Sequence, residues 1–520
     1  MLNVVMTEKS EPEDAHILHQ PSKLLQIVGL IIFLIGLIIF NGSVFIGNYQ
    51  ITDTVLADLS KQIPAEKLQK LNALTNRIYF TKLEFLDDIE THINDDGQIQ
   101  SYQLGEYKLA ILKEAYFGVI KEHPFTFFLL SIVLASLGAL IQILSGLRSL
   151  PDIKNNNIYF RSLTSRGIIG IVTGMYLIAF YVLLYWYPEY IVNLIILMDP
   201  VSQFIRNMPA DRWFLYGTLY TFSVCVMGIR MFVKYRHNRY HLIRTTSVMF
   251  FQFGFAFLLP SIMERLNQPS MDLKNAWPLN YTLFMDWSLD NFISGGGFGL
   301  IMLAWGIILS VAVVPIMTFF FGKRWYCSWV CGCGGLAETF GDPFRHLSNK
   351  SLRAWKIERW MVHSVLVIAV VMTIMQISNY ISGGSLFSNY TWRVNQAYSF
   401  LIGAAFAGVV GTGLYPFMGS RVWCRFGCPL AAILGIIQKF KSRFVITTNG
   451  GQCISCGNCS TYCEMGIDVR WYAQRGQNII RASCVGCGVC AAVCPRGVLN
   501  LENTSPGERY NLPSNEMIVQ

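Results

Sequence analysis

The sequence predicts a polytopic α-helical membrane protein of about eight transmembrane helices, with a small cysteine-rich α+β domain near the C-terminus. Three observations support this fold class. Of the 520 residues, 53% are hydrophobic and only 14% are charged, whereas a soluble domain carries roughly 25% charged residues. About eight apolar runs approach the roughly 20 residues that cross a bilayer. Most of the 14 cysteines are concentrated behind the last of these runs, between Cys453 and Cys494.

The apolar runs divide the chain into segments. They lie at Leu24–Ile46, Phe125–Leu147, Gly167–Tyr187, Trp213–Val233, Thr246–Ile262, Phe298–Phe321, Met361–Tyr380 and Phe400–Met418. The first run is longer than the apolar core of a signal peptide, which spans about 7–15 residues, so it is interpreted as an uncleaved anchor. The predicted segments are an N-terminus at 1–23, the anchor at 24–46, a helical insertion at 47–121, helices two to five at 122–297, helices six to eight at 298–444, a compact domain at 445–502 and a tail at 503–520.

The loop charges predict the orientation in the membrane. Lys and Arg are concentrated after the second, fourth, sixth and eighth runs, for example in 234–244 and 421–443. Loops of this kind remain on the cytoplasmic side. We therefore expect both termini and the compact domain in the cytoplasm, and the insertion on the opposite side. The net charge of +9 is attributed to these loops, which could also contact acidic lipid head groups or an acidic electron donor. It does not predict a nucleic-acid partner.

The strongest motif is a pair of C-x2-C-x2-C-x3-C runs in the compact domain. In bacterial ferredoxins this spacing holds two 4Fe-4S clusters, and the last cysteine of each run serves the other cluster. Zinc is the alternative, but zinc sites usually combine separate C-x2-C pairs. The expected ligands are Cys453, Cys456, Cys459 and Cys494 for one cluster, and Cys484, Cys487, Cys490 and Cys463 for the other.

An acidic residue departs from this motif. Glu464 follows Cys463, whereas proline follows Cys494. A carboxylate close to a cluster disfavours the negative charge that is added on reduction. We therefore expect Glu464, if it lies close enough, to lower the reduction potential of its neighbouring cluster, because such potentials depend on the surrounding charge.

A second cysteine motif is repeated just after the sixth and eighth runs. Both copies contain a glycine, then an arginine, then an aromatic residue and a C-x3-C pair. The pairs are Cys327 with Cys331 and Cys424 with Cys428, and Cys333 is a fifth candidate. A third metal or iron-sulfur site formed by the two pairs is one interpretation. Redox-active thiols and inert packing thiols are the others.

Together, these motifs resemble the membrane polyferredoxin family. This group includes the NapH-type subunit of periplasmic nitrate reduction, the NosR-type protein of nitrous-oxide respiration and the CcoG/FixG-type oxidase-assembly protein. The resemblance covers about Phe298–Glu502. It implies a multi-pass protein of the bacterial cytoplasmic (inner) membrane. It also implies electron transfer with a membrane partner, such as quinone/quinol or a cytochrome subunit, or with a cytoplasmic reductant.

The sequence therefore predicts a membrane-bound iron-sulfur protein that relays single electrons through two 4Fe-4S clusters at the cytoplasmic face, in a respiratory or quinol-linked chain. It would be an electron-transfer component or a subunit of an oxidoreductase, and no catalytic side chain is identified. Two alternatives remain open. One is an assembly factor that reduces a metal ion for an oxidase or another metalloenzyme. The other is a redox-sensing regulatory membrane protein.

Overall fold

The computed structural model describes residues 23–93, 101–146, 167–387, 389–505 and 509. The predicted N-terminus, the basic loop after the second run and nearly all of the tail lie outside these residues. The prediction of eight transmembrane helices is confirmed, since eight described helices are long and apolar enough to cross a membrane. These spans are Lys23–Phe45, Pro124–Gly146, Ile168–Trp186, Arg212–Lys234, Arg239–Arg265, Gly296–Phe321, Leu352–Ile381 and Tyr390–Gly413.

Some span boundaries differ from the predicted runs. Span eight was expected at Phe400–Met418 but begins at Tyr390 and ends at Gly413, because the helix continues through the polar residues that precede its apolar part. Three spans also contain π-helical segments, at Phe251–Leu258, Leu309–Val313 and Ser399–Val410. Such segments are uncommon in α-helices and occur frequently at functional sites.

The insertion at 47–121 is a small domain of its own. Its helices are Asp53–Leu59, Ala65–Leu71, Lys82–Ile93, Ser101–Ala115 and Val119–Glu122. A three-stranded antiparallel sheet joins them, with β1 at Asn48–Gln50, β2 at Ile78–Tyr79 and β3 at Tyr116–Phe117, in the order β2-β1-β3. The sequence predicted only the helices, since strands of two or three residues are too short to show an alternating pattern.

A buried asparagine attaches the insertion to the membrane domain. Asn193 lies in the short helix Val192–Leu197, all of which is buried. Its amide donates to the carbonyl oxygens of Ser43 (2.9 Å) and Ile46 (2.7 Å), and its side-chain oxygen accepts from the Tyr49 hydroxyl (3.2 Å). The apolar helix Val192–Leu197 is too short to cross a membrane, and it packs inside the protein.

The compact C-terminal domain lies at the opposite end of the membrane helices from the insertion. Span four begins at Arg212, which pairs with Glu106 of the insertion at 2.8 Å. It ends at Lys234, whose ammonium lies over the ring of Tyr462 in the C-terminal domain. A helix of 23 residues is about 34 Å long. We call these two ends the insertion end and the ferredoxin end.

The C-terminal domain is built around a two-stranded antiparallel sheet. β4 at Val445–Thr448 pairs with β5 at Leu499–Glu502. Between the strands lie three short helices, Asn458–Thr461, Val469–Gln474 and Val489–Ala492. The strands join the two ends of the cysteine-rich segment and thereby bring its two halves together.

Candidate metal centres

Site I is a cavity lined by one of the two predicted ligand sets. Cys453, Cys456, Cys459 and Cys494 all border it, so the last cysteine comes from the other half of the motif. Cys456 is exposed, whereas Cys459 is buried. Burial raises the pKa of the Cys459 thiol to about 12. Site I is therefore the cysteine site nearest to solvent.

Site II is lined by the other predicted set. Cys463, Cys484, Cys487 and Cys490 border a second cavity, and the crossed cysteine is Cys463. Burial raises the pKa of the Cys484 thiol to about 12 and also raises that of Cys490. The structure thus brings together the same groups of four that the spacing predicted.

The backbone around sites I and II repeats with a period of 31 residues. Gly457 and Gly488 precede equivalent short helices with φ of +83° and +78°. Two residues earlier, Ser455 and Gly486 both have φ of +60°. Left-handed residues turn the chain tightly, so each loop curls its thiols around one centre.

Site III is formed by the two C-x3-C motifs. Five cysteines line its cavity together with Tyr326, Trp423, Leu430 and Ala431. They are Cys327, Cys331, Cys333, Cys424 and Cys428. All are buried except the half-buried Cys333. The two motifs, 97 positions apart in the chain, therefore meet at one place.

The two halves of site III have matching local structure. Each begins with a glycine of positive φ, Gly322 at +67° and Gly419 at +90°. The second cysteine of each pair immediately precedes a helix, Gly332–Glu338 after Cys331 and Pro429–Lys441 after Cys428. The positive end of a helix stabilises an anionic group such as a thiolate.

The donor sets fit iron-sulfur clusters. Sites I and II each offer four thiols around one cavity, which is the number that a 4Fe-4S cluster requires, and site III offers five. In the absence of a cation, burial raises the pKa of most of these thiols, for example that of Cys327 to about 12. A metal ion deprotonates a coordinating thiol, so occupancy would offset the cost of burying these anions.

A buried network of charges lies between sites II and III. Its five cations are Arg230, Lys234, Arg244, Arg345 and Arg421, and its three carboxylates are Glu338, Asp342 and Glu464. The side chains of all eight are at most 7% exposed. The excess of positive charge suits two neighbouring centres whose thiolates are negative.

Arg421 connects the network to site III. Its guanidinium donates to the carbonyl oxygen of Cys327 at 3.0 Å and lies 3.7 Å from the Cys424 sulfur. It also pairs with Glu338 at 2.7 Å and with Glu464 at 2.9 Å. Arg421 is therefore the functional residue that sequence reasoning missed. The available signal was the arginine that the two C-x3-C motifs share.

Other contacts connect the network and the membrane domain to site II. Arg244 donates to the Cys487 carbonyl oxygen at 2.5 Å. Carboxylate oxygens of Glu338 and Glu464 and the Cys487 sulfur lie within 4.8 Å of one another. Gln438, just after the second C-x3-C motif, donates to the Cys484 carbonyl oxygen at 2.8 Å. Sites II and III therefore share supporting side chains.

Two interpretations of charged residues need correction. The loop charges predict that Lys234, Arg244 and Arg421 are available to lipid or to an acidic partner, but all three are buried. Acidic residues far away in the sequence pair with them, and a loop-by-loop count of charge does not register such pairs. Glu464 does line site II. Its charge is compensated by Arg345 at 2.7 Å and by Arg421, so the expected lowering of the potential is opposed.

Family models agree with this arrangement. A model described as a 4Fe-4S binding domain matches residues 303–351 and again 399–447, and each match contains one C-x3-C motif. A model described as a 4Fe-4S dicluster domain matches 424–499, which includes all eight cysteines of sites I and II. The prediction of two 4Fe-4S clusters is thereby confirmed, while the assignment of individual ligands stays a prediction.

Curated relatives are similar to about a third of the chain. YccM of Escherichia coli K12, which is named as an electron transport protein, is 27% identical over 176 residues, 31% of this chain and 47% of the relative. The methylamine utilization ferredoxin-type protein MauN of Methylobacillus flagellatus is 26% identical over 166 residues, 31% of this chain and 56% of the relative. The chain thus spans about half the length of these relatives. No solved structure matches it.

Proposed function

We propose that this chain is a membrane-bound polyferredoxin, a ferredoxin-type 4Fe-4S electron-transport protein, which relays single electrons between a cytoplasmic reductant and a redox partner in the bilayer. Three cysteine sites would form the route. Sites I and II would hold the two clusters of the dicluster domain, and site III would hold a third iron-sulfur centre.

The observation that carries this proposal is the gradient of exposure along the three sites. Site I reaches solvent through Cys456, whereas both cysteines of each C-x3-C pair in site III are at most 7% exposed. Site II is the middle site of the three. It contacts site III, since Ser328 of the first C-x3-C motif donates to the carbonyl oxygen of Val485, which lines site II, at 2.9 Å. A soluble donor could approach one end of the route, and a membrane partner the other.

When bound, 4Fe-4S clusters accept and release one electron at a time without forming bonds to a substrate. The chain's own residues would hold them close together and dry. The buried network supplies compensating positive charge, and Trp423 and Leu430 exclude water from site III. Rigid packing of this kind also limits the structural change that accompanies each transfer.

The proposal includes the orientation predicted from the loops. The ferredoxin end would face the cytoplasm, and the insertion end would lie on the opposite side of a bacterial cytoplasmic membrane. A tag at the C-terminus tests this point. It should be protected from added protease in intact spheroplasts and digested after lysis, whereas digestion without lysis would contradict the orientation.

Iron analysis tests the number of centres. Purified under anaerobic conditions, the chain should contain roughly twelve irons, four for each cluster. The double variant Cys424→Ser/Cys428→Ser should contain roughly eight and keep the EPR signals of the other two centres. Cys225→Ser, in the middle of span four, is the matched control and should lose none. An iron-free protein would refute the relay, and equal iron in all three proteins would refute the third centre.

A further inference from the structure

Span seven is longer than the hydrocarbon layer that it crosses. The helix Leu352–Ile381 has 30 residues and is therefore about 45 Å long, whereas the hydrocarbon core of a bilayer is about 30 Å thick. About ten residues consequently extend beyond that core. The excess lies before Met361, where the continuous apolar run begins. It contains Arg353, Lys356 and Arg359, all of which are exposed.

Two arginines lie against one tryptophan ring in this part of span seven. The guanidinium of Arg359 is 4.5 Å from the ring centroid of Trp355, and that of Arg481, from the C-terminal domain, is 4.3 Å from the same centroid. Arginine is attracted to an aromatic face by the cation–π interaction. The two guanidinium groups, which we call the arginine pair, therefore come from different domains and lie close enough for one phosphate group to bridge them.

The arginine pair lacks a carboxylate partner. Within the described part of the chain, neither Arg359 nor Arg481 forms an ion pair, and the hydroxyl of Tyr472, which accepts from Arg481 at 3.1 Å, is neutral. The neighbouring carboxylate of Glu358 is already paired with Arg425 at 3.0 Å. Two like charges close together repel each other, so an anion that bound between them would stabilise both.

A neighbouring helix adds further cations. Pro429–Lys441 packs against span seven and has Lys439 and Lys441 in its last turn. Gln438 in the same turn donates to the carbonyl oxygen of Arg481 at 2.9 Å, which places the two lysines close to the arginine pair. Neither lysine forms an ion pair with a described residue. The surface is therefore strongly positive at the ferredoxin end.

Large apolar side chains are exposed among these cations. Ile357 and Trp360 are exposed on span seven, Trp360 to 78%, and Phe440 is exposed on the neighbouring helix. Tryptophan is enriched where a bilayer meets water. A surface that combines cations with exposed apolar groups fits a ligand with an anionic head and apolar tails.

Arg481 also belongs to the loop that enters site II. The backbone amide of Cys484 donates to the carbonyl oxygen of Arg481 at 3.0 Å. Gln438, which holds that carbonyl as well, donates to the carbonyl oxygen of Cys484 at 2.8 Å. A ligand that held Arg481 against span seven would therefore also hold the loop that carries this cysteine of site II.

We propose that the arginine pair binds the phosphate of an anionic phospholipid, whose acyl chains lie along the lipid-facing side of span seven. Guanidinium groups bind phosphate through charge-assisted, paired hydrogen bonds, and basic pockets between membrane helices bind anionic head groups. The bound lipid connects span seven to the C-terminal domain and stabilises the loop of site II. The inference needs the membrane spans and the packing of the two domains, and it does not depend on the relay of electrons.

Titration of the detergent-purified full chain with lipids, followed by native mass spectrometry, tests the binding. Phosphatidylglycerol should bind at least tenfold more tightly than phosphatidylcholine with the same acyl chains. Arg359→Gln and Arg481→Gln should each weaken the binding of phosphatidylglycerol about tenfold or more, the value of a hydrogen bond to a charged group. Arg359→Lys keeps the charge and should restore part of the affinity.

Arg475→Gln is the matched control. Arg475 is also exposed and also lies over a tryptophan, with its guanidinium 4.0 Å from the ring centroid of Trp471. It follows the helix Val469–Gln474, from which Arg470 and Ala473 line site I. Its replacement should leave the affinity for phosphatidylglycerol unchanged. If Arg481→Gln fails to fold, Arg359→Gln, an exposed change on span seven, decides the matter.

The heat stability of the iron-loaded protein gives a second measurement. In nanodiscs of phosphatidylglycerol the chain should retain its iron to a higher temperature than in nanodiscs of phosphatidylcholine, because the lipid holds the loop of site II. This difference should be smaller in Arg359→Gln and Arg481→Gln and unchanged in Arg475→Gln.

The outcomes separate this inference from the proposed function. Equal affinity for the two lipids, or equal weakening in Arg359→Gln and Arg475→Gln, overturns the lipid site. Inorganic phosphate that bound as tightly as phosphatidylglycerol would indicate a site for a free anion and would also overturn it. All of these results would leave the relay intact, whereas an unmodified chain without iron would refute the relay itself.

Discussion

Replacing Arg421 by glutamine should lower the reduction potential of the centre at site III. The guanidinium lies 3.7 Å from the Cys424 sulfur and donates to the Cys327 carbonyl oxygen. An electron added to this centre increases its negative charge, which the neighbouring cation stabilises. Glutamine keeps much of the volume and a hydrogen-bond donor but removes that cation.

The distance between the Arg421 guanidinium and the Cys424 sulfur gives the size of the expected shift in reduction potential. Two unit charges 3.7 Å apart interact by about 4.5 kcal/mol at an effective dielectric constant of 20. For a one-electron couple about 1.4 kcal/mol corresponds to about 59 mV, so this energy corresponds to about 190 mV. The added electron is shared among several iron and sulfur atoms, most of them farther away than Cys424. We therefore expect a decrease of about 100 mV, with about 190 mV as the upper limit.

Redox titration followed by EPR on the anaerobic protein measures the shift. Arg421→Lys keeps the charge and should restore most of the potential. Arg425→Gln is the matched control, because Arg425 is also buried and pairs with Glu358 at 3.0 Å, without a hydrogen bond to a site III thiol among the described contacts. Equal potentials in Arg421→Gln and Arg425→Gln, both with full iron, would refute the electrostatic reasoning.

Three further predictions concern packing, pH and the insertion. A Cβ on Gly334 would lie 1.9 Å from the Cys327 carbonyl oxygen, whereas one on Gly332 would meet nothing closer than 3.4 Å. Gly334→Ala should therefore lose the iron of site III and Gly332→Ala should keep it, as measured by iron content. Burial raises the pKa of Cys459 and Cys484 from 9 to about 12. The iron-free folded protein keeps these protons at a pH where its unfolded state releases them, so its melting temperature should fall as pH rises from about 9 toward 12. The melting temperature of the iron-loaded protein should not show this fall. If the melting temperatures of the iron-free and iron-loaded proteins fell in parallel with pH, the argument would be contradicted. Asn193→Ala leaves the buried Tyr49 hydroxyl without its partner and removes one of the donors to each of the Ser43 and Ile46 carbonyl oxygens, which should cost about 1–3 kcal/mol of stability. Thermal unfolding should show the loss while the EPR spectra stay unchanged, and altered spectra would argue against a purely structural role.

Local sequence patterns were sufficient to predict those elements that the local sequence determines. Crossing a bilayer requires a long apolar helix, so the eight spans could be recognised from composition and length. The spacing of the cysteines in sites I and II reflects a loop that wraps around one centre, and the structure gathers the same groups of four. The short strands of the insertion, such as Ile78–Tyr79, lack such a signal because their pairing partners determine them.

What the sequence alone determined is therefore the membrane fold, the iron-sulfur chemistry and the repeat of the C-x3-C motif. Tertiary structure decided that the two motifs form one site and that arginines counted as loop charges, such as Arg421, lie in a buried network. The physical reason is that a buried charge is stable only beside its partners, and those partners, Glu338 and Glu464, come from distant parts of the chain.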